Sequence, residues 1–134
     1  MITEQEFQNQ YVLPFGSVYH IYYAVKGFIV WRKGTGCNTE LLHIKTFEKG
    51  KGYGRELVYQ MLDTIDPYYS VFGFTRVGNK EAKKFYGALG FELQKVNGIY
   101  KDGSSVLFWQ SYEELKKQRT DYERKSYNYG EAIP

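Results

Sequence analysis

Several features that would point to other classes of protein are scarce or missing in this sequence. Cys37 is the only cysteine among 134 residues, so the chain can form no internal disulfide and no cysteine cluster for a metal. No apolar run approaches the roughly 18 residues that a transmembrane helix needs. The start, MITEQEFQNQ, lacks the basic and apolar segments of a secretory signal. These features predict a cytoplasmic protein without a membrane partner.

Concentrated positive charge is also missing. The chain has 18 Lys and Arg against 15 Asp and Glu, which gives a formal net charge of +3. The end of the chain, SYEELKKQRTDYERKSYNYGEAIP, is rich in Lys, Arg and Tyr, but its acidic residues balance its basic ones. A nucleic-acid partner is therefore not favoured, because such proteins carry a concentrated basic surface. A small anionic ligand suits the mild charge better.

Apolar and aromatic residues, in contrast, are plentiful. Hydrophobic residues make up 43% of the chain and aromatic residues 19%, which is enough for one sizeable core at this length. We expect a single domain over residues 1–110. Residues 111–134 turn charged and polar, and they predict a solvated helix followed by a frayed tail.

Strands and helices alternate in the pattern of apolar residues. A capping-box pattern at Thr3 and Glu6 predicts a short first helix. Strands are predicted in six segments that are rich in β-branched and aromatic residues: SVYHIYYAV, GFIVWRK, TELLHIKTF, YYSVFGFTRV, FELQKVNGIYK and SVLFWQ. Turns are predicted at Lys26-Gly27 and at Asp102-Gly103.

Two further helices are predicted by apolar residues at helical spacing. One runs from Gly54 and ends before Pro67, and the other lies in NKEAKKFYGALGF, with Gly90 as its terminating residue. The first of them follows one strand and precedes another, so it is a crossover that requires a parallel strand pair. The fold class is therefore α+β or α/β.

A loop rich in glycine and cationic residues stands directly before the first of these two helices. Its glycines are Gly50, Gly52 and Gly54, and its cationic residues are Lys49, Lys51 and Arg55. Exposed amides, the helix dipole and the nearby charges together make a seat for a phosphate. A flexible connector with solvated lysines is the alternative. A Walker loop is excluded by the absence of a Gly-Lys-Ser/Thr ending, and a dinucleotide fold is disfavoured by the chain length.

Two segments together resemble the signatures of the GNAT superfamily of N-acetyltransferases. Lys49-Gly50-Lys51-Gly52-Tyr53-Gly54 resembles the family's Gln/Arg-x-x-Gly-x-Gly/Ala loop, with a lysine at position 49. NKEAKKFYGALGF resembles the second signature, Asn-x-x-Ala-x-x-x-Tyr-x-x-x-Gly-Phe. The matching positions are Asn79, Ala82, Tyr86, Gly90 and Phe91. The resemblance covers roughly residues 28–109.

The resemblance implies a fold, a cofactor and a reaction. The fold would be a mixed, mostly antiparallel sheet with a central splayed parallel strand pair, flanked by helices. The reaction would be direct acetyl transfer from acetyl-coenzyme A to a primary amine. The cofactor would be bound by the strand before the loop, by the loop itself and by the second signature, at Ile44, Thr46, Lys49, Gly50, Lys51, Gly52, Tyr53, Gly54, Arg55, Asn79 and Lys83. A backbone N–H near Ile44 or Lys45 would stabilise the oxyanion.

Catalytic roles follow from the same resemblance. Tyr86 would protonate the departing thiolate, although a core aromatic residue on an amphipathic helix is the alternative. Glu40 is the first candidate for the general base that deprotonates the amine. His43 and His20 are the other candidates, because an imidazole titrates near neutral pH. We expect Asn79 either to contact the cofactor or to cap its helix.

Two questions stay open at the level of sequence. The chain is either an active acetyltransferase or a catalytically inactive binding or structural protein of the same fold, such as a phage-encoded, host-directed or virion-associated one. The intact glycine loop and Tyr86 favour the enzyme. The amine acceptor is unidentified, a metal is not expected, and the protein is either a monomer or a homodimer.

Overall fold

The computed structural model describes the backbone of residues 19–24, 27–97 and 105–132, and the side chains of residues 27–97 and 105–125. The predicted first helix and the Asp102-Gly103 turn lie outside these ranges. The chain divides into two compact units, Met1–Asp66 and Pro67–Pro134.

The described part of the first unit contains three antiparallel strands. They are β1 (Tyr19–Ala24), β2 (Gly27–Lys33) and β3 (Asn38–Thr46). β2 pairs with both of the others. Its residues 28–31, Phe-Ile-Val-Trp, are all buried, as expected for an inner strand that is covered on both faces. The three strands predicted from sequence in this half are confirmed.

A β-bulge interrupts the pairing of β2 with β3. Val30 lies opposite His43, but the next residue, Trp31, lies opposite Leu41, so that Leu42 is an extra residue in β3. A bulge changes the direction of the following side chains and is common next to active sites. The adjacent pair Leu41-Leu42 breaks the alternation of polar and apolar residues, and this break is the sequence signal for the bulge.

The glycine loop leads into the first helix, α1 (Tyr53–Thr64). Its buried residues are Leu57, Val58, Tyr59, Met61 and Leu62. These residues recur at helical spacing and give α1 one apolar face against the strands. The helix ends where the Ile65 amide donates to the Met61 carbonyl at 3.1 Å, two residues before Pro67. The predicted helix is confirmed.

In the second unit the described residues form three further strands and two helices. The elements are β4 (Ser70–Arg76), α2 (Lys80–Ala88), β5 (Glu92–Val96), β6 (Ser105–Ser111) and α3 (Tyr112–Ala132). β6 lies between β4 and β5 and is antiparallel to both. The predicted C-terminal helix is confirmed, and it extends further than expected, since a frayed tail was predicted where α3 continues to Ala132. The α+β class is confirmed.

Candidate functional site

Two glycines of the loop hold backbone conformations that other residues rarely adopt. Gly50 and Gly52 both have φ 76°, and Gly52 also has ψ 13°, which is the left-handed helical region. Among the described residues no non-glycine has a positive φ, so the sign of φ alternates through Gly50, Lys51 and Gly52. Such alternation turns successive amides toward one side and forms a concave anion-binding surface. The loop therefore has the alternation of φ that anion-binding turns of this kind require, and phosphate binding by it stays a prediction.

Open space surrounds these two glycines. A Cβ atom built on Gly50 or Gly52 would meet no atom of the described residues within 4 Å. Gly27 is different, because a Cβ there would collide with the backbone carbonyl of Lys45. Packing requires the glycine at position 27, whereas at positions 50 and 52 only the backbone conformation requires it. The described residues therefore leave open space next to the Cα atoms of Gly50 and Gly52.

The N-terminus of α1 adds to this geometry. Gly52 is the N-cap, and the Glu56 amide donates to its carbonyl at 3.2 Å. Gly52 has no side chain that could cap the first turn, and no side-chain cap is formed there. The first-turn amides and the positive end of the helix dipole therefore favour an anion at this point.

Three cationic residues accompany the loop, in different environments. Lys49 and Lys51 are exposed. Arg55 is held along α1, where its Nη1 donates to the Tyr59 hydroxyl at 2.9 Å and its guanidinium lies 6.0 Å from the Tyr59 ring. Tyr53 and Gly54 are half-buried in the first turn of α1.

The other two predicted cofactor contacts of this unit lie on β3. Ile44 is opposite Ile29, and Thr46, the last residue of the strand, is opposite Gly27. Both are half-buried. They come directly before the loop and directly after the bulge, which places strand backbone, bulge and glycine loop in one continuous segment.

The second signature lies in the second unit, and the residues at its two ends cap helix α2. The Asn79 Oδ1 atom accepts a hydrogen bond from the Ala82 amide at 3.0 Å, so the capping role predicted for Asn79 is confirmed. At the other end the Gly90 amide donates to Gly87 at 3.1 Å, and the Phe91 amide donates to Tyr86 at 3.1 Å. With φ +100° at Gly90, this is a Schellman motif.

Tyr86 lies within an aromatic cluster. Its ring stacks on Phe108 with centroids 3.7 Å apart and planes inclined by 11°, and it meets Phe91 edge to face at 5.6 Å. Only 9% of Tyr86 is exposed. The packing role considered for Tyr86 is thus present, and its role as an acid stays a prediction. Lys83 is half-buried on the same helix, and its cofactor contact also stays a prediction.

Glu40, the first candidate base, forms an ion pair across the strands. Arg32 lies opposite it, and the Nε and Nη2 atoms of Arg32 each lie 2.7 Å from the Glu40 Oε1 atom. This pair was not foreseen from sequence, because it depends on the register of β2 against β3. The ion pair holds the Glu40 carboxylate beside Arg32, and the role of Glu40 as a base stays a prediction.

His43 has a different environment. It is half-buried, and its ring stacks on Phe28 with centroids 5.7 Å apart. Burial, together with the charge of Lys45, lowers the pKa of His43 below its usual value of 6.5. His43 is therefore neutral at pH 7. The backbone of His20 lies opposite Trp31, and its side chain is outside the described residues.

The described residues contain neither a metal cluster nor a membrane-spanning helix. Within residues 27–97 and 105–125, no three His, Cys, Asp or Glu side chains come close enough together to hold a metal ion. Cys37 is exposed in the connection between β2 and β3. No helix in the described part of the chain has the length and apolar character to cross a membrane.

Known proteins were compared by family, sequence and structure. No family model matches the chain, and no curated protein sequence matches it. Solved structures do match. Ard1 from Thermoplasma volcanium is 27% identical, with a TM-score of 0.52 over 63% of this chain and 61% of that one. Arabidopsis thaliana NAA60 in complex with acetyl-CoA is 18% identical, with a TM-score of 0.55 over 64% of this chain and 65% of that one.

A third structure is similar to the same degree. A GNAT-family acetyltransferase from Bacillus cereus is 22% identical, with a TM-score of 0.55 over 64% of this chain and 62% of that one. The chain has the fold of the GNAT acetyltransferases. This confirms the resemblance read from the two signatures. The matched part spans less than two thirds of each of these three structures.

Proposed function

We propose that this protein is an N-acetyltransferase that transfers the acetyl group of acetyl-coenzyme A to a primary amine. The observation that carries the proposal is the glycine loop, where Gly50 and Gly52 hold φ 76° with open space above them. A pyrophosphate is the anion that such a loop and helix N-terminus fit. NAA60, which shares the fold, has been solved in complex with acetyl-CoA.

Residues of the first unit would bind successive parts of the cofactor in the order in which these residues occur along the chain. In this proposal the backbone at Ile44 and Thr46 pairs with the pantetheine arm. The amides from Gly50 to Arg55 hold the pyrophosphate, and the side chains of Lys49 and Lys51 add charge. An amide next to the bulge, at Ile44 or Lys45, stabilises the oxyanion, and loss of such a donor costs roughly 3 kcal/mol in transition-state stability.

The residues of the second unit would complete the reaction. Tyr86 protonates the departing thiolate of coenzyme A, while Asn79 and Lys83 contact the cofactor. The base that deprotonates the amine is Glu40 or His43, the two titratable candidates of β3 with described side chains.

Two experiments test the proposal. Acetyl-coenzyme A or coenzyme A should raise the thermal midpoint, because a ligand at 100 times its dissociation constant adds about 2.7 kcal/mol of stability. Labelled acetyl-coenzyme A should transfer its label to a member of a pool of amines that includes spermidine, lysine and short peptides with free amino termini. A midpoint that stays fixed at millimolar ligand would remove the cofactor from the proposal.

A binding or structural role without chemistry is the second candidate. It is favoured by one observation: the contacts of Asn79, Tyr86, Gly90 and Phe91 account for the second signature as helix caps and core packing. A protein with this role would bind coenzyme A and transfer no label to any member of the pool.

A further inference from the structure

Gly27, the first residue of β2, lies directly against the backbone at the end of β3. It is buried, and it pairs with Thr46 on one side and with Ala24 on the other. A Cβ atom at position 27 would lie 2.9 Å from the Thr46 Cα atom and 3.0 Å from the Lys45 carbonyl carbon, and nearer still to the Lys45 oxygen. Backbone atoms cannot turn aside as the end of a long side chain can. A larger residue at position 27 would therefore displace the end of β3.

The same contacts show which way the backbone of β3 faces. The Lys45 oxygen is nearer to the Cβ position of Gly27 than its own carbon is, so this carbonyl points toward β2. Lys45 lies opposite Phe28, and the two therefore form a hydrogen-bonded pair, in which the amide and the carbonyl of each residue face the other strand. Hydrogen-bonded and non-bonded pairs alternate along an antiparallel ladder. The backbone amides and carbonyls of Ile44 and Thr46 consequently face away from β2.

We propose that Gly27 is a positioning residue for the cofactor: the absence of a side chain there keeps the backbone of Ile44 and Thr46 turned away from β2, where it receives the pantetheine arm of coenzyme A. The inference rests on the proposed function and deepens it. It also selects between the two amides considered for the oxyanion, because the amide of Lys45 is directed at β2 and that of Ile44 is not.

Two features make the requirement at position 27 strict. The φ of Gly27 is 154°, in a range that residues with a side chain rarely adopt. In addition, β2 is paired on both edges, so it cannot move away from β3 without disturbing its pairing with β1. A larger residue would instead shift the segment that runs from the bulge into the glycine loop. A misplacement of about 1 Å can cost roughly 100-fold in rate.

The test compares the parent with Gly27→Ala and Met61→Ala. Met61 is 0% exposed in α1, so its truncation weakens the packing of the same unit without adding an atom beside β3. Calorimetry measures coenzyme A affinity, and single-turnover transfer from labelled acetyl-coenzyme A to spermidine and to a short peptide with a free amino terminus measures the rate.

Gly27→Ala should lose at least tenfold in coenzyme A affinity and roughly 100-fold in turnover. Met61→Ala should lower the thermal midpoint and keep both properties of the parent, which separates positioning from stability. A folded Gly27→Ala with the affinity and turnover of the parent overturns the inference, and so do equal losses in the two variants.

Amide hydrogen exchange of the parent decides the inference if Gly27→Ala folds poorly. Saturating coenzyme A should slow exchange at Ile44 and Thr46 at least tenfold more than at Lys45, whose amide is already bonded to β2. Equal slowing at the three amides, or most at Lys45, overturns the inference. A parent that binds no coenzyme A overturns the proposed function and the inference with it. A parent that binds coenzyme A and transfers no label overturns the proposed function alone, and affinity and exchange then decide the inference.

Discussion

The residues of the two signature segments are required for different physical reasons. In the glycine loop, φ is 76° at both Gly50 and Gly52, yet a Cβ atom at either position would meet no atom of the described residues within 4 Å. In the Asn79–Phe91 segment nearly every signature residue has a packing or capping partner. A Cβ on Gly90, for example, would lie 2.7 Å from the Gln118 Cγ atom of α3.

This difference separates evidence for a function from evidence for a fold. Asn79 starts the helix, Gly90 and Phe91 end it, and Tyr86 packs on Phe108, so these residues would be needed in an inactive protein as well. At positions 50 and 52 the left-handed backbone conformation requires glycine, but packing against the described residues does not. The loop is therefore the stronger support for cofactor binding.

The largest expected effect is the loss of turnover in Tyr86→Phe. It would show that the second signature serves the reaction as well as the fold. Tyr86→Phe removes only the hydroxyl and keeps the ring on Phe108, so stability and coenzyme A affinity should change little. Turnover should fall by roughly 100- to 10,000-fold if Tyr86 is the general acid. Single-turnover transfer and calorimetry measure the two properties. Unchanged turnover would leave Tyr86 as a core residue, with another group or water protonating the thiolate.

The next effect tests the packing of the second unit. Phe108 is 1% exposed and stacked on Tyr86, so Phe108→Ala should lower the free energy of unfolding by roughly 3–5 kcal/mol. Tyr68→Ala is the control, because Tyr68 is 85% exposed and its loss should change stability by less than about 0.5 kcal/mol. Chemical denaturation measures both variants. Similar losses in the two would contradict the aromatic cluster as the centre of this unit.

A smaller effect is expected at the start of α2. Asn79→Ala removes the bond to the Ala82 amide and should cost about 1 kcal/mol of stability. Asn79→Asp keeps an oxygen acceptor at the same place and should keep the stability of the parent. A loss of coenzyme A affinity in Asn79→Ala, beyond what its stability explains, would show that Asn79 also contacts the cofactor.

The smallest expected effect is the contribution of His43 to the pH dependence of the free energy of unfolding. Its folded pKa is lowered, so the unfolded chain binds the proton more readily. The free energy of unfolding should therefore fall as pH drops through 6.5, and stop falling below the folded pKa of His43. Urea denaturation of the parent and of His43→Asn between pH 5 and 8 measures this dependence. An identical pH dependence in the two chains would contradict the lowered pKa.

Much of the fold could be predicted from local pattern. GFIVWRK matches β2 residue for residue, and the apolar spacing after Gly54 predicts α1 to within one residue at its start and two at its end. The capping of α2 followed from Asn79 and Gly90, because caps depend on neighbouring residues alone. These features are short-range, and a single sequence contains them.

The features that could not be predicted from the sequence depend on strand register or on tertiary packing. The Arg32–Glu40 pair exists because the bulge at Leu42 sets which residues are opposite, and that offset is decided by the packing of both strands. The stacking of Tyr86 on Phe108 joins a helix to a distant strand, so the spacing of Tyr86 within its helix could not reveal it. The lowered pKa of His43 likewise depends on its burial, which follows from tertiary structure.

The central claim, that the glycine loop binds the pyrophosphate of coenzyme A, is tested most directly by calorimetric titration of coenzyme A into three chains. These are the parent, Gly52→Val and Gly36→Val. Gly36 has φ 65° and open space around it, like Gly52, so both substitutions should cost a similar backbone strain of roughly 1–3 kcal/mol. We predict that the parent and Gly36→Val bind coenzyme A alike, and that Gly52→Val loses at least tenfold in affinity. Equal affinity in all three chains, or no binding by the parent, would contradict the account.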